Sequence, residues 1–417
     1  VVRTRVIPCK LPRAAADALN AASGSIYTGV MVAHWRTYRR NGHWLSPGAA
    51  ERWSDRRTSV PLHAHSIDAA QQGFYKACTV TRALRKIGVD AKFPHHRRKY
   101  RTTIWKSTGI RRKGDTLVLS NGRGNAPITI RLPEEVRDSL RFLEVRLVYD
   151  KVARRYDWHI VHENGKAPKP APGANVVSVD LGEIHPAVVG DEREATIITC
   201  RERRSESQGH ARRLANIARE IARKKKGSKR YKRLVAAKVR MKAKHDRVMR
   251  DMEHKISRAI VAVAVERKAA TIVIGDVRDI ADGVDCGARQ NQKMSHWNHG
   301  KVRKYVEYKA EAEGIAVKLE DEAYTSQTCP ACRHRHKPRG RRYRCPACGF
   351  QAHRDVVGQV NILSRFKHGE PGKIPAPAAV RYRIPHNVRV MRRCQDTGRA
   401  EPNPPVARGQ LREAAGL

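Results

Sequence analysis

NVVSVDLGEIHPAVVGDEREATIITC, residues 175–200, is the stretch from which the fold class is read. NVVSVDLGEIHPAVVGD (175–191) reads as one apolar strand that carries Asp180, and EATIITC (194–200) is a second run beside it. Two strands this close predict a hairpin that opens an α/β domain. A carboxylate at the end of an apolar strand is costly to desolvate unless a cation or hydrogen-bond donors meet it. Asp180 is therefore either a metal ligand or a cap for the turn that follows.

The surroundings set the domain organisation. NGKAPKPAPGAN (164–175) is rich in alanine, proline and glycine and reads as a linker. Ahead of it, residues 1–163 start with a strand, VVRTRVIP, and continue with apolar residues at helical spacing (Leu19, Ile26, Val30) and a second amphipathic pattern over 66–88. Strands follow at 116–120, 128–132, 143–150 and 155–163. An antiparallel sheet with helices set into it is the simplest account. Behind the linker, residues 176–365 form the α/β domain, with a buried strand at 269–276, another bringing Glu320, Asp321 and Glu322 to its end, and a final helix at 353–369. Residues 366–417 mix proline, arginine and polar residues without periodicity and are expected to form a basic, disordered tail.

Lysine and arginine number 85 against 40 acidic residues, a formal net charge of +45 spread along 417 residues. Such a surface repels itself unless a polyanion neutralises it, so nucleic acid is the partner that the charge predicts. Two segments concentrate it. Residues 94–114 set eight basic residues, among them Arg97, Arg98 and Lys99, around Tyr100 and Trp105, a mixture suited to phosphate contact and base stacking. Residues 201–250 hold 20 basic residues against 4 acidic ones, with an apolar stripe (Leu214, Ile217, Ile221, Leu234, Val239) that predicts two basic helices with one dry face, broken near Gly227. Lys224, Lys225, Lys226 and Arg230 crowd that break and are expected to meet phosphate. No secretory leader opens the chain and no apolar run is long enough to span a bilayer, so an intracellular protein without a membrane partner is expected.

Four of the nine cysteines fall in CPAC (329–332) and CPAC (345–348), separated by twelve residues. Two such knuckles bring Cys329, Cys332, Cys345 and Cys348 round one ion as a closed tetrahedral site, which predicts one structural Zn²⁺ in a module spanning 323–352. The other chemistry-bearing set is oxygen. Asp180, an acid from the 320–322 cluster and Asp355 arrive from separate elements, and a pair of Mg²⁺ ions requires such a set for in-line hydrolysis of a phosphodiester.

VDLGEIHPAVV, IVIGDVRDI, YTSQTCPAC and CPACGFQAHRDVVGQVNI together closely resemble the RuvC-like nuclease of the TnpB family, the transposon-associated RNA-guided DNA endonucleases, and of the miniature type V CRISPR effectors related to them. The resemblance covers residues 175–365. It implies an RNase H-like (RuvC) nuclease with an inserted zinc module, preceded by a β-rich wedge domain with an inserted helical recognition lobe. It also implies a guide RNA of CRISPR or transposon origin, a double-stranded DNA target cut beside a short adjacent motif, and a prokaryotic cell. The family's first catalytic Asp falls on Asp180 and its last on Asp355. Where the family has NAA after the last Asp, this chain has Val357, Gly358 and Gln359. The middle catalytic Glu falls on Gly275, which offers no side-chain ligand. Some family members carry a relocated Glu just before YTSQTC, and this points to Glu322, with Asp276 as an acid close behind the metal ligands or as the substitute itself. A non-cleaving RNA-guided protein that blocks transcription is the rival expectation, because Gly275 fits an inactivated site as well, and a transposase that breaks and joins DNA is a third.

Overall fold

The computed structural model describes residues 2–55, 62–165, 167–277, 285, 287, 291, 297 and 299–386. The N-terminal part runs β1 (Val2–Pro8), α1 (Arg13–Asn41), α2 (Pro47–Asp55), α3 (Ala64–Lys86), β2 (Thr103–Lys106), β3 (Ile110–Lys113), β4 (Thr116–Leu119), β5 (Ile128–Arg131), β6 (Arg141–Asp150) and β7 (Arg155–Glu163). One antiparallel sheet has the order β1-β7-β6-β2 and a second β3-β4-β5. Alternate residues of both, Leu117 and Leu119, Val145 and Leu147, share one core with Ala16 and Leu19 of α1. The remaining length of α1 packs with α2 and α3 around Tyr27, Val30, Phe74 and Tyr75. Trp105, expected at a nucleic-acid surface, belongs to the sheet core instead. It is 1% exposed and its indole N–H donates to the Ser120 carbonyl at 2.8 Å, because β2 is a strand and position 105 faces inward.

Residues 175–191, read as one strand, are two. β8 (Asn175–Asp180) ends at Asp180, the chain reverses, and β9 (Ala187–Gly190) returns antiparallel before β10 (Glu194–Ile198). Then come α4 (Arg201–Ala222), α5 (Lys229–Glu266), β11 (Ala269–Asp276), α6 (His299–Ala312), β12 (Ala316–Asp321), β13 (Arg342–Arg344), β14 (Gln351–His353), α7 (Arg354–His368) and β15 (Ala379–Arg383). Six strands form one mixed sheet, β12-β11-β8-β9-β10-β15, in which β9 runs against both its neighbours and the other pairings are parallel. The tail therefore departs from expectation: Ala379–Arg383 adds a sixth strand beside β10, where an open edge supplied unpaired backbone groups. The rest of the tail, from residue 387, lies outside the described residues.

Strand alternation sorts the two faces of this sheet. Val177, Val179, Ile272 and Ile274 pack on Met252, Ile256 and Ile260 of α5 and on Val302 and Val306 of α6. Val188, Ala195 and Ile197 pack on Val356 of α7. Ser178 and Asp180, with the opposite parity to Val177 and Val179, turn toward α7. Ser178 donates to the Gln359 carbonyl at 2.7 Å and accepts from the Gln359 side chain at 2.7 Å. The basic helices break at Gly227 (φ 86°), but their apolar stripe is not dry. Buried residues of α5 begin only at Met249, and Val239 is 46% exposed.

Candidate active site and metal centres

Asp180 closes β8, Glu322 follows β12 directly and Asp355 is the second residue of α7, so three elements bring their carboxylates to the same end of the sheet. Burial pushes the Asp180 carboxyl well above its usual range, and repulsion from Glu322 and Asp355 adds to this against a partial offset from Arg354. Burial likewise raises Glu322 to about 7, helped by Asp276 and Asp321. A buried carboxyl raised by two neighbouring carboxylates is held against their repulsion, and a divalent cation relieves it.

The missing acid at Gly275 has a steric counterpart. A Cβ built on Gly275 would stand 2.6 Å from Glu322 Oε2 and 2.9 Å from Ile362 Cδ1, so the Glu322 carboxylate fills the space that a side chain at 275 would take. Gly358 has the same relation to the first acid: its Cβ would lie 2.5 Å from Asp180 Oδ2. The VGQ sequence after Asp355 is thus tied to the site, glycine giving Asp180 room and Gln359 holding Ser178 two residues before it.

Glu320 and Asp321 end elsewhere. Glu320 pairs with Gly275 across the strands. Asp321 forms an ion pair with Arg365 at 2.6 Å and points to solvent. Asp276 pairs with Asp321 and acts on Glu322 through its charge. Two residues that the sequence did not single out hold the turn carrying Glu322 against α7. The buried Asn361 amide donates to the carbonyls of Thr325 (2.7 Å) and Thr328 (2.8 Å), and Arg365 donates to the Asp321 carbonyl at 2.9 Å. Two histidines also stand at the site: His185, in the reversal after β8, and His353, which precedes α7. Burial lowers the His185 pKa, with Arg341, His353 and Arg201 adding to the effect against Asp355.

Cys329, Cys332, Cys345 and Cys348 cluster as a metal site. The sulfurs of Cys329 and Cys348 are 3.7 Å apart and those of Cys332 and Cys345 3.5 Å. Sulfurs about 2.3 Å from one tetrahedral ion stand about 3.8 Å apart, so the cluster fits such an ion with almost no adjustment. Tyr343 of β13, fully buried, packs against Cys329 and Cys345.

Of the basic segments, Arg97, Arg98, Lys99 and Tyr100 are exposed, with Lys99 Nζ 5.4 Å from the Tyr100 ring. Their backbone is pinned to α1, where Thr28 Oγ1 accepts from the Arg98 N–H at 3.0 Å. Lys224, Lys225, Lys226 and Arg230 flank the α4–α5 turn, mostly exposed, and Ser228 caps α5 by accepting from the Tyr231 N–H at 3.1 Å. No helix among the described residues is long and apolar enough to cross a membrane.

Comparison with known proteins agrees with this arrangement. A family model described as "Cas12f1-like, TNB domain" matches residues 299–362, and one described as "Probable transposase" matches residues 159–281. The TnpB-like protein MJ0751 of Methanocaldococcus jannaschii is 29% identical over 28% of this chain and 43% of its own length. The CRISPR-associated endodeoxyribonuclease Cas12f1 of Sulfoacidibacillus thermotolerans is 34% identical over 26% of this chain and 25% of its own. The matched part thus spans less than half the length of either relative. In fold, the chain is similar to the protein in a Cas12f1–sgRNA–target DNA complex, with a TM-score of 0.59 at 12% identity over 83% of this chain and 81% of that one. In motif order, cysteine cluster and fold the chain is similar to the TnpB-like and Cas12f1 proteins.

Proposed function

We propose that this protein is an RNA-guided DNA endonuclease whose RNase H-like domain cleaves double-stranded DNA at Asp180, Glu322 and Asp355. The observation that carries the reading is the fit between Gly275 and Glu322: the position that lost its acid is the one into which another acid leans. An inactivated site has no reason to keep Asp180 and Glu322 desolvated beside other acids, which stays costly once the function is gone. The strand order β12-β11-β8-β9-β10, with β9 reversed, supports the RNase H-like assignment. Residues 1–163 would serve as the wedge and recognition lobe, 164–175 as the linker, 176–365 as the nuclease, and 323–352 as the zinc module.

Asp180, Glu322 and Asp355 would hold two Mg²⁺ ions, with Asp276 beside them adding its charge to the burial that raises Glu322. Bound there, the ions would lower the pKa of the attacking water and neutralise the departing 3′ oxygen. Cys329, Cys332, Cys345 and Cys348 would hold one Zn²⁺, whose contribution is to fix the chain between Glu322 and Asp355. Arg97, Arg98, Lys99 and Tyr100 would contact nucleic acid from the N-terminal part, while Lys224, Lys225, Lys226 and Arg230 would hold the guide RNA. Sequence recognition would be left to base pairing.

Single-turnover cleavage of a matched duplex by the purified ribonucleoprotein tests this. Asp180→Ala and Asp355→Ala should each abolish cutting and leave target binding near normal, since neither touches the basic surface. A wild-type protein that binds its target and never cuts it in Mg²⁺ or Mn²⁺ would make it an RNA-guided repressor.

A further inference from the structure

His185 lies in the reversal after β8, with its ring against those of His353 and Tyr382. It is 7% exposed, and its Nδ1 is buried with no hydrogen-bond partner, an arrangement that costs on the order of 1–3 kcal/mol. Its Nε2 accepts from the Arg341 guanidinium at 3.3 Å. Opposite, with ring centroids 5.4 Å apart, stands His353. His353 caps α7 by accepting from the Asp355 N–H at 3.3 Å, a position that Ser, Thr, Asp or Asn normally fills. One ligand atom from each of His185, His353 and Asp355 lies within 4.8 Å of the other two. Ligand atoms about 2.1 Å from a shared ion stand about 3.0–3.4 Å apart in octahedral or tetrahedral geometry, so the widest pair needs up to about 1.8 Å of closure.

We propose that His185, His353 and Asp355 form a nitrogen-rich site at which a first-row transition-metal cation such as Mn²⁺ can take the place of the Mg²⁺ beside Asp355. The inference rests on the reading of Asp355 as an ion ligand. Two imidazoles and one carboxylate suit transition metals, whereas Mg²⁺ takes oxygen donors and keeps its waters. The buried Nδ1 and the unusual cap then have one explanation. With a metal on Nδ1, Nε2 carries the ring proton and no longer accepts from Arg341, so Arg341 must release His185 when an ion enters. The two ion positions would differ in kind, one lined by the oxygens of Asp180 and Glu322 and the other by nitrogen.

Pulsed electron paramagnetic resonance on the full-length, zinc-loaded protein with Mn²⁺ as the probe reads this directly, without any cleavage. Bound Mn²⁺ should show imidazole-nitrogen couplings that persist in excess Mg²⁺. His185→Ala and His353→Asn, the latter retaining a capping side chain, should each remove a coupling and weaken Mn²⁺ binding on the order of 10–100-fold. Zinc content and melting temperature report whether each variant is folded. Mn²⁺ coupled to oxygen ligands alone, or couplings and affinity unchanged in both folded variants, would overturn the proposal. Nitrogen-coupled Mn²⁺ in a protein that never cuts DNA would keep this site and defeat the nuclease reading. Cleavage in Mg²⁺ that neither histidine variant alters, with no nitrogen coupling, would do the reverse.

Discussion

Replacing Gly275 by alanine puts a methyl group where the Glu322 carboxylate now sits. Ordinary contact begins at 3.4 Å, and the added carbon would stand 2.6 Å from Glu322 Oε2 and 2.9 Å from Ile362 Cδ1, so the carboxylate must retreat by about 0.8 Å. Both atoms end flexible side chains, and the fold should lose no more than roughly 1–3 kcal/mol. The chemistry is less tolerant, since a displacement near 1 Å at a reacting centre costs about 100-fold. Single-turnover cleavage by Gly275→Ala should therefore fall by roughly that factor, with guide and target binding near wild type. The companion variant, Gly275→Glu with Glu322→Gly, moves the acid back onto β11 and should recover much of the lost rate, whereas Glu322→Gly alone should not. Wild-type cutting by Gly275→Ala would mean that the position of the Glu322 carboxylate does not matter, and the coupling between the two residues would be refuted.

Two further outcomes are expected. Glu322 has its pKa raised from 4.5 to about 7 and Asp180 shifts in the same direction; a raised acid gives stability that is complete below its unfolded pKa and lost as pH climbs through the folded one. Zinc-loaded, magnesium-free protein should accordingly lose on the order of 3 kcal/mol between about pH 5 and pH 8 through Glu322 alone. Thermal melts should show added Mg²⁺ restoring it and Glu322→Gln flattening the profile, and an unchanged slope in that variant would remove the repulsion argument. Replacing Lys224, Lys225 and Lys226 together by alanine should weaken guide RNA binding and reduce the salt slope by up to about 2. An unaltered affinity and slope in filter-binding titrations would make the turn a merely solvated one.

The sequence was legible where a local pattern carries its own chemistry. The two CPAC knuckles fix a four-sulfur cluster by spacing alone, and the break at Gly227 is where α4 gives way to the capped start of α5. Trp105 was misread because a four-residue strand inside a basic run is too short for alternation to show which face is inward. β15 was missed because the reason it forms is the open edge of β10, which the tail's own composition does not reveal. Gly275 was visible as a position without a side-chain ligand and Glu322 as a nearby acid, whereas the close approach of the Glu322 carboxylate to Gly275 appears only in three dimensions. His185 and His353 left no trace, since single histidines far apart in the chain carry no spacing signal.

α5 contains neither glycine nor proline along its 38 residues, and at 1.5 Å per residue it is about 57 Å long. Its first 20 residues, Lys229–Val248, contribute no buried side chain, whereas Ile256 and Ile260 lie in the core under the sheet that bears Asp180. The charged arm and the greasy foundation are thus one beam without a joint. Anything that grips the tip cannot tilt it privately, because the same rod must pivot against the floor beneath the carboxylates. A cargo settled on the arm would brace the floor, and backbone amides near Ile256 should exchange more slowly with solvent deuterium once the far end is loaded.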